Sequence, residues 1–338
     1  MQIRLSAIVL IPMLVLSGCT PNTGAARPLS IGVAVYDGDD TFVASITDEI
    51  SRLAEKDNVH ITLRAADRSQ LTQNEQVQDL IDDGMNVICV NLVDRTSTSS
   101  IINAAIKNNI PIIFFNREPV ESDLDRWDHL YYVGSNAEES GRLQGQIAAA
   151  YIREHQDADR NGDGFLQVYV LEGEPGHQDT ILRSESSLAT LQDAGIPIEK
   201  VGYSICDWKR SDAEAETTRL IAEGNEIELY ICNNDDMAAG AVDAYETAGI
   251  PVDERPLIVG IDGTTIGCEL VEKGFMIGTV YNDYRGQADA IYALAKALAG
   301  NQEMPALENG HYITLPYQKI TIENVKAYQS CASVPAAE

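Results

Sequence analysis

Cationic side chains are few: 24 lysines and arginines stand against 52 aspartates and glutamates, a formal net charge of −28. A surface this acidic repels phosphate, which excludes nucleic acid as a partner and favours solubility. Cysteine is also scarce. Among the six, Cys19, Cys89, Cys206, Cys232, Cys268 and Cys331, none stand in a CxxC or zinc-type spacing. Cys89 in Val-Ile-Cys-Val and Cys232 in Tyr-Ile-Cys-Asn lie inside apolar runs, where a thiol packs as a small hydrophobe. After residue 16 no stretch is apolar enough to read as a membrane helix.

What is present starts at the N-terminus. Residues 1–4 are a short positive region and residues 5–16 an apolar run too short to span a bilayer comfortably, so residues 1–18 read as a signal peptide. Leu16-Ser17-Gly18-Cys19 has the form of a bacterial lipobox, in which Cys19 is lipidated and becomes the new first residue. The residues up to Pro28 carry Pro, Asn, Thr, Gly and Ala without apolar periodicity, a flexible tether. The expectation is a protein anchored to the outer face of a cell membrane, or held in a periplasm, by two acyl chains rather than a spanning helix.

The roughly three hundred residues that follow exceed one ordinary core and predict two domains. Short β-rich runs at 31–36, 59–65, 87–90, 112–115, 131–134, 167–171, 198–205, 228–232, 257–261 and 277–280 alternate with segments of helical period. This is the pattern of an α/β protein with doubly wound parallel sheets. Two segments resemble each other: Leu80-Ile81-Asp82-Asp83-Gly84 leads into Val87 to Asn91, and Leu220-Ile221-Ala222-Glu223-Gly224 leads into Leu229 to Asn233. Each reads as helix, Gly cap, buried strand and polar exit, which predicts two domains of one topology. Polar residues gather just past strand ends, at Tyr36-Asp37, Asn116-Arg117, Glu172-Gly173, Asn233-Asn234-Asp235 and Asp262-Gly263. In open parallel sheets ligands bind at that edge.

Over 29–325 the chain resembles the bacterial galactose/glucose-binding proteins, part of a larger sugar-binding family that includes ribose binders. The runs that carry the likeness are Asp39-Asp40-Thr41-Phe42, Asn91-Leu92-Val93-Asp94, Phe114-Phe115-Asn116-Arg117-Glu118-Pro119, Tyr131-Tyr132-Val133-Gly134, Gly173-Glu174-Pro175-Gly176-His177 with Asp179 and Arg183, Asn233-Asn234-Asp235, Gly260-Ile261-Asp262 and Asn282-Asp283. The resemblance implies a type I periplasmic binding protein fold, with one domain over 29–134 and 283–316, a second over 136–280 and 317–330, and a multi-strand hinge between them. It also implies a binding protein that is not an enzyme. Its ligand would be D-galactose or D-glucose, and its partner the permease of an ABC transporter, a chemoreceptor or a sensor kinase.

Carried over by motif, the implied polar ligand set is Asp40, Asn116, His177, Asp179, Arg183, Asn234, Asp262 and Asn282, with Phe42 and Trp208 stacking on the sugar faces. The residue types suit a polyol: carboxylates accept from hydroxyls, the guanidinium donates a rigid fork, amides do both, and aromatic rings meet C–H faces. Each has a plainer reading. Asp40 would serve equally as a helix N-cap, Asn234 or Asp235 as the cap of a helix near Met237, Asn116 as a strand end, and Phe42 and Trp208 as core. Three carboxylates also fit a glycosidase using two of Asp40, Asp179 and Asp262, and a related sugar such as ribose fits the same fold. A transcription regulator of similar core would need an N-terminal helix-turn-helix and basic surface, and this chain has neither.

A second site reads from Asp159-Arg160-Asn161-Gly162-Asp163-Gly164-Phe165-Leu166-Gln167, with oxygen ligands at alternate positions and Gly sixth, as in an EF-hand loop. At the twelfth place Val170 replaces the bidentate Glu. In the resembling family that ligand comes from a distant strand, and the matching residue is Glu228. The expectation is a structural calcium ion held by Asp159, Asn161, Asp163, the Phe165 carbonyl, Gln167 and Glu228.

Overall fold

In the computed structural model, which describes residues 29–155, 157–300 and 302–332, strands and helices alternate as the periodicity predicts. The expected leader, Cys19 and the tether lie outside the described residues. The first lobe opens with β1 (Ser30–Val35), α1 (Thr41–Asp57), β2 (His60–Ala65), α2 (Gln70–Asp82) and β3 (Val87–Val90). It continues through α3 (Ser99–Asn108), β4 (Ile112–Phe115), α4 (Glu121–Leu124) and β5 (Leu130–Ser135). The second lobe contains α5 (Ala137–Glu154), β6 (Leu166–Glu172), α6 (Gln178–Asp193), β7 (Ile198–Ile205), α7 (Arg210–Ala222), β8 (Leu229–Cys232) and α8 (Asp235–Thr247). It then adds β9 (Leu257–Val259), α9 (Thr265–Glu272) and β10 (Thr279–Tyr281). The chain returns to the first lobe for α10 (Tyr284–Leu298) and β11 (Tyr312–Leu315), and crosses again for β12 (Gln318–Ile320) and α11 (Val325–Ala332).

All ten strands expected from the sequence are present to within about two residues at either end. Two were missed: β11, which joins the first sheet beside β5, and β12, which pairs antiparallel with β10. Both are short, four and three residues, too brief for a period to show.

The first sheet has the order β11-β5-β4-β3-β1-β2 and the second β7-β6-β8-β9, every pairing within them parallel. From each lobe's opening strand, the second strand lies on one side and the later ones on the other, so β2-β1-β3-β4 and β7-β6-β8-β9 are the same arrangement. The internal resemblance in the sequence thus reflects repeated topology. Gly84 at φ 75° and Gly224 at φ 71° follow α2 and α7 in the left-handed conformation that ends each helix.

Both sheets are covered on two faces. Val33, Cys89, Ile113 and Val133 pack against Ile46 and Ile50 of α1 and Ile291 of α10, while Ile88, Val90 and Phe114 face Leu80 of α2 and Ile102 of α3. In the second lobe Leu171, Tyr230 and Ile258 pack on α7, α8 and α9, and Val168, Ile231 and Val259 on Ile147 of α5 and Leu191 of α6. Near-continuous apolar strands are what two-sided burial demands. Cys89 and Cys232 sit inside these cores, and with Cys206 and Cys268 they are free thiols.

Each sheet reverses its winding between its opening strand and the third one, so the carboxyl ends of β1 and β3, and of β6 and β8, flank a crevice. The two crevices face each other. Buried asparagines mark the same point in both: Asn91 after β3 accepts from the Tyr36 N–H, and Asn233 after β8 accepts from the Gly173 N–H, at 3.5 and 3.2 Å.

Candidate functional site

Every residue that reaches the space between the lobes leaves the carboxyl end of a strand or opens the helix that follows. Asp40 and Phe42 come from the start of α1, and Asn116 and Arg117 follow β4. His177, Asp179 and Arg183 come from the start of α6, Trp208 from the loop after β7, Asn234 from the end of β8 and Asp262 from the loop after β9. These ten side chains line one cavity.

Three of them are helix caps as well. Asp40 Oδ1 accepts from the Val43 N–H at 2.8 Å, His177 Nδ1 from the Asp179 N–H at 3.1 Å, and Asn234 Oδ1 from the Met237 N–H at 2.9 Å. The capping and lining roles that the sequence leaves as alternatives therefore coexist on the same residues, because a cap holds the side chain at the sheet's ligand edge. The second oxygen of Asp40 accepts from the Tyr36 hydroxyl at 2.5 Å. Asn116 is held by the Asn91 amide, whose Nδ2 donates to Asn116 Oδ1 at 2.9 Å.

Backbone strain concentrates here. Asn116, Trp208 and Asp262 have φ of 59°, 67° and 115°. Asn tolerates that region, but an indole-bearing residue does so at a cost on the order of 1–3 kcal/mol, of the kind found at functional sites. Gly173 makes room for the indole: a Cβ there would lie 2.2 Å from Trp208 Cζ2.

The electrostatic centre is Arg183. Its Nη1 donates to the Asn233 carbonyl at 2.7 Å, its Nη2 lies 3.1 Å from Asp179 Oδ2, and Asp262 Oδ1 is 3.8 Å from Nη1. Burial drives the carboxyls of Asp179 and Asp262 above the usual range, and the guanidinium opposes that shift in both. Burial and the cations of Arg117, Arg183 and Arg95 hold His177 neutral, well below its ordinary range. A neutral imidazole, carboxyls facing the Arg183 guanidinium and amides together offer both donors and acceptors. Arg183 Nε and Trp208 Nε1 are buried donors that meet no acceptor among the described residues, an arrangement that suits a ligand bearing several oxygens.

Arg117 is the residue the motif carry-over passed over. Its guanidinium lies 3.5 Å over the Tyr36 ring and donates to the Val93 carbonyl at 2.9 Å and to Glu174 Oε2 across the cleft at 2.8 Å. Asn282 departs from the expected set. Its side chain is not among those lining the cavity: Oδ1 accepts from Gln287 Nε2 at 2.7 Å and Ser135 Oγ at 3.3 Å, while its N–H donates to the Asp262 carbonyl. It stands behind Asp262, at the crossing between lobes.

The lobes are drawn together by Arg117–Glu174, by Arg68 Nη2 donating to the Asp207 carbonyl at 3.2 Å and by Gln178 Nε2 donating to Glu118 Oε2 at 3.2 Å. The cavity left inside is narrow, about 30 Å³. A ligand larger than that enters only if the lobes part.

The loop at 159–167 folds on its own oxygens. Asp159 accepts from the Gly162 and Gly164 N–H groups, Asp163 from the Phe165 N–H, and Glu228 from the Arg160, Asn161 and Gln167 N–H groups. Asn161 Nδ2 lies 3.2 Å from Asp163 Oδ2 and 3.1 Å from Gln167 Oε1. Among the described residues no group of three or more His, Cys, Asp or Glu side chains is gathered to hold a metal ion. The donor set is nonetheless all oxygen, with Glu228 drawn to the loop, and its chemistry fits a hard cation.

A sequence model of the periplasmic binding protein domain matches residues 31–303. The D-galactose/methyl-galactoside binding periplasmic protein of Haemophilus influenzae is 33% identical over 272 residues, 80% of this chain and 81% of that protein. A putative rhizopine-binding protein of Rhizobium meliloti is 29% identical over 90% of this chain and 94% of its own. Among solved structures, an ABC transporter solute binding protein of Bacillus halodurans with bound myo-inositol superposes with a TM-score of 0.77 at 27% identity, covering 91% of this chain and 99% of that one. Among the described residues no helix is long and apolar enough to cross a membrane.

Proposed function

The chain belongs to the periplasmic binding protein family, with its type I fold, and we propose from that premise that it binds one hexose of the D-galactose or D-glucose type. It is a sugar-binding protein of the ABC transporter kind, not an enzyme. The finer reading, that the hexose goes to a permease and that the closed form is also read by a chemoreceptor or sensor kinase, is ours. One observation carries the choice of ligand: Asp40, Phe42 and Asn116 from one lobe and His177, Asp179, Arg183, Trp208, Asn234 and Asp262 from the other converge on a single cavity. The relative that is 33% identical is named for galactose, which supports the same choice. A sugar bridging both lobes stabilises the closed arrangement through contacts that the open one lacks.

Isothermal titration with glucose, galactose, ribose and myo-inositol, after unfolding and refolding to strip carried-over ligand, tests the reading. One-to-one binding of glucose or galactose, lost in Asp179→Ala, supports it. Binding of ribose or myo-inositol with no heat from either hexose would keep the fold and overturn the ligand. Release of free sugar from an aryl glycoside would instead revive the glycosidase reading.

The anchoring proposal rests on the lipobox: Cys19 carries the acyl chains that hold the chain to the membrane, and acyl labelling lost in Cys19→Ala tests it. The loop at 159–167 with Glu228 takes a structural calcium ion, its oxygen ligands supporting the assignment and none of them lying in the cleft. Calcium then raises the melting temperature with concentration, and Asp163→Ala removes that rise. Equal melting with calcium and with a chelator would dismiss the ion.

A further inference from the structure

The cleft does not end at His177 and Asp179. A second chamber of about 270 Å³ lies beyond them, with Arg117, His177 and Asp179 forming part of its wall as well as the wall of the first cavity. Its volume leaves room for a pyranose ring with its hydroxyls. One side is the loop after β3, around Val93; the other is the turn from Glu174 into α6. It is thus built from both lobes, like the first cavity.

Its lining offers the apolar surface and the hydrogen-bonding groups that a sugar ring uses. Val93 and Pro175 give apolar surface for C–H groups. Gln178 Oε1 is a buried acceptor that meets no donor among the described residues, while its Nε2 donates to Glu118. Burial lifts the Glu118 carboxyl above the usual range, and its oxygens face the chamber beside Gln178. Four carboxylates, Asp94, Glu118, Glu174 and Asp179, outnumber the guanidiniums of Arg95 and Arg117, which disfavours a phosphorylated sugar.

We propose that this chamber is a second subsite, and that the protein takes its hexose joined through a glycosidic oxygen to a second sugar ring seated between Val93 and Gln178. The inference rests on the reading of the first cavity as a hexose site. The oxygen that links the two rings lies at Asp179 and His177, which touch both spaces, and the second ring closes with the lobes as the first does.

The test is titration of the full chain with galactose, glucose and four disaccharides, namely lactose, melibiose, cellobiose and isomaltose, which vary the linkage and the terminal sugar. At least one disaccharide binds as tightly as the free hexose or more tightly. Val93→Phe, which fills the chamber, weakens that disaccharide about tenfold or more and leaves the hexose within about twofold. Gln178→Ala removes the orphan acceptor together with the Nε2 contact to Glu118 between the lobes, so it weakens the disaccharide about fivefold more than the hexose and keeps the inference testable should the larger side chain disturb folding. Hexose binding with no disaccharide binding, or disaccharide affinity unchanged in both variants, would overturn the second subsite while leaving the first. Failure of every sugar would overturn the hexose reading and this inference with it.

Discussion

Arg117 and Glu174 join the two lobes across the cleft, Nη2 to Oε2 at 2.8 Å, with the guanidinium nearly buried over Tyr36 and the carboxylate partly exposed. Because Arg117 also donates to the Val93 carbonyl, the first lobe holds the cation in place whether or not Glu174 is near. Glu174 is therefore the moving half of a latch.

Glu174→Ala should loosen the closed form. A partly exposed pair contributes about 0.2–1 kcal/mol, so sugar affinity falls by up to about fivefold, mainly through faster dissociation. Stopped-flow fluorescence separates the two rates. A slower association with unchanged dissociation would contradict the latch.

Asn234 both caps α8 and faces the cleft, and two substitutions separate those roles. Asn234→Ser keeps a capping oxygen, so the melting temperature stays close to wild type while sugar affinity drops at least tenfold from loss of the amide. Asn234→Ala loses affinity and also about 1 kcal/mol of stability. Equal melting of the two variants would show that the cap contributes nothing.

Gly173→Ala would place a methyl 2.2 Å from Trp208 Cζ2 and 2.3 Å from two more ring atoms. The indole must leave its position, and with it the stacking face. Affinity should fall about tenfold or more, and the change in tryptophan fluorescence on adding sugar should shrink. Retained affinity would mean that Trp208 is not a sugar platform.

Asp235 contributes to the pH response of the second lobe, alongside the raised carboxyls of Asp179 and Asp262. Its buried carboxyl accepts from Thr279 Oγ1 and from the N–H and hydroxyl of Thr264, and burial pushes its pKa up to about 7. A folded pKa above the unfolded value near 3.9 means that the folded state binds the proton more tightly. That stabilisation is full below about pH 4 and is lost as pH rises to about 7. The loss, at about 1.4 kcal/mol per pKa unit, is at most about 4 kcal/mol. Asp235→Asn should flatten the fall in denaturation free energy between pH 5 and 8. An unchanged slope would place the titration elsewhere.

Most of the fold was legible because two-sided burial writes itself into sequence: Val87 to Val90 and Leu229 to Cys232 are apolar throughout, and each follows a glycine that can end a helix. β11 and β12 were not, since Tyr312 to Leu315 and Gln318 to Ile320 lie at the sheet margin and the crossing, where pairing rather than burial makes the strand. The site was legible as a set of motifs but not as geometry. Arg117 falls outside the implied ligand set because its partners, Tyr36, Val93 and Glu174, are distant in the chain. The one available signal was its place directly after Asn116. Asn282 kept its motif and yet turns to Gln287 and Ser135, contacts that no local pattern announces.

Asp40, His177 and Asn234 each terminate a helix while facing the cleft, and this restricts how the protein can change its taste. Any replacement at these three positions must still cap, which narrows the choices to a few short polar side chains. Asn116, Arg117 and Asp262 carry no such duty toward a helix. New specificities should therefore arise first at those three places, within the side chains that the positive φ of Asn116 and Asp262 allows, with the caps remaining as the fixed grammar around which the pocket is rewritten.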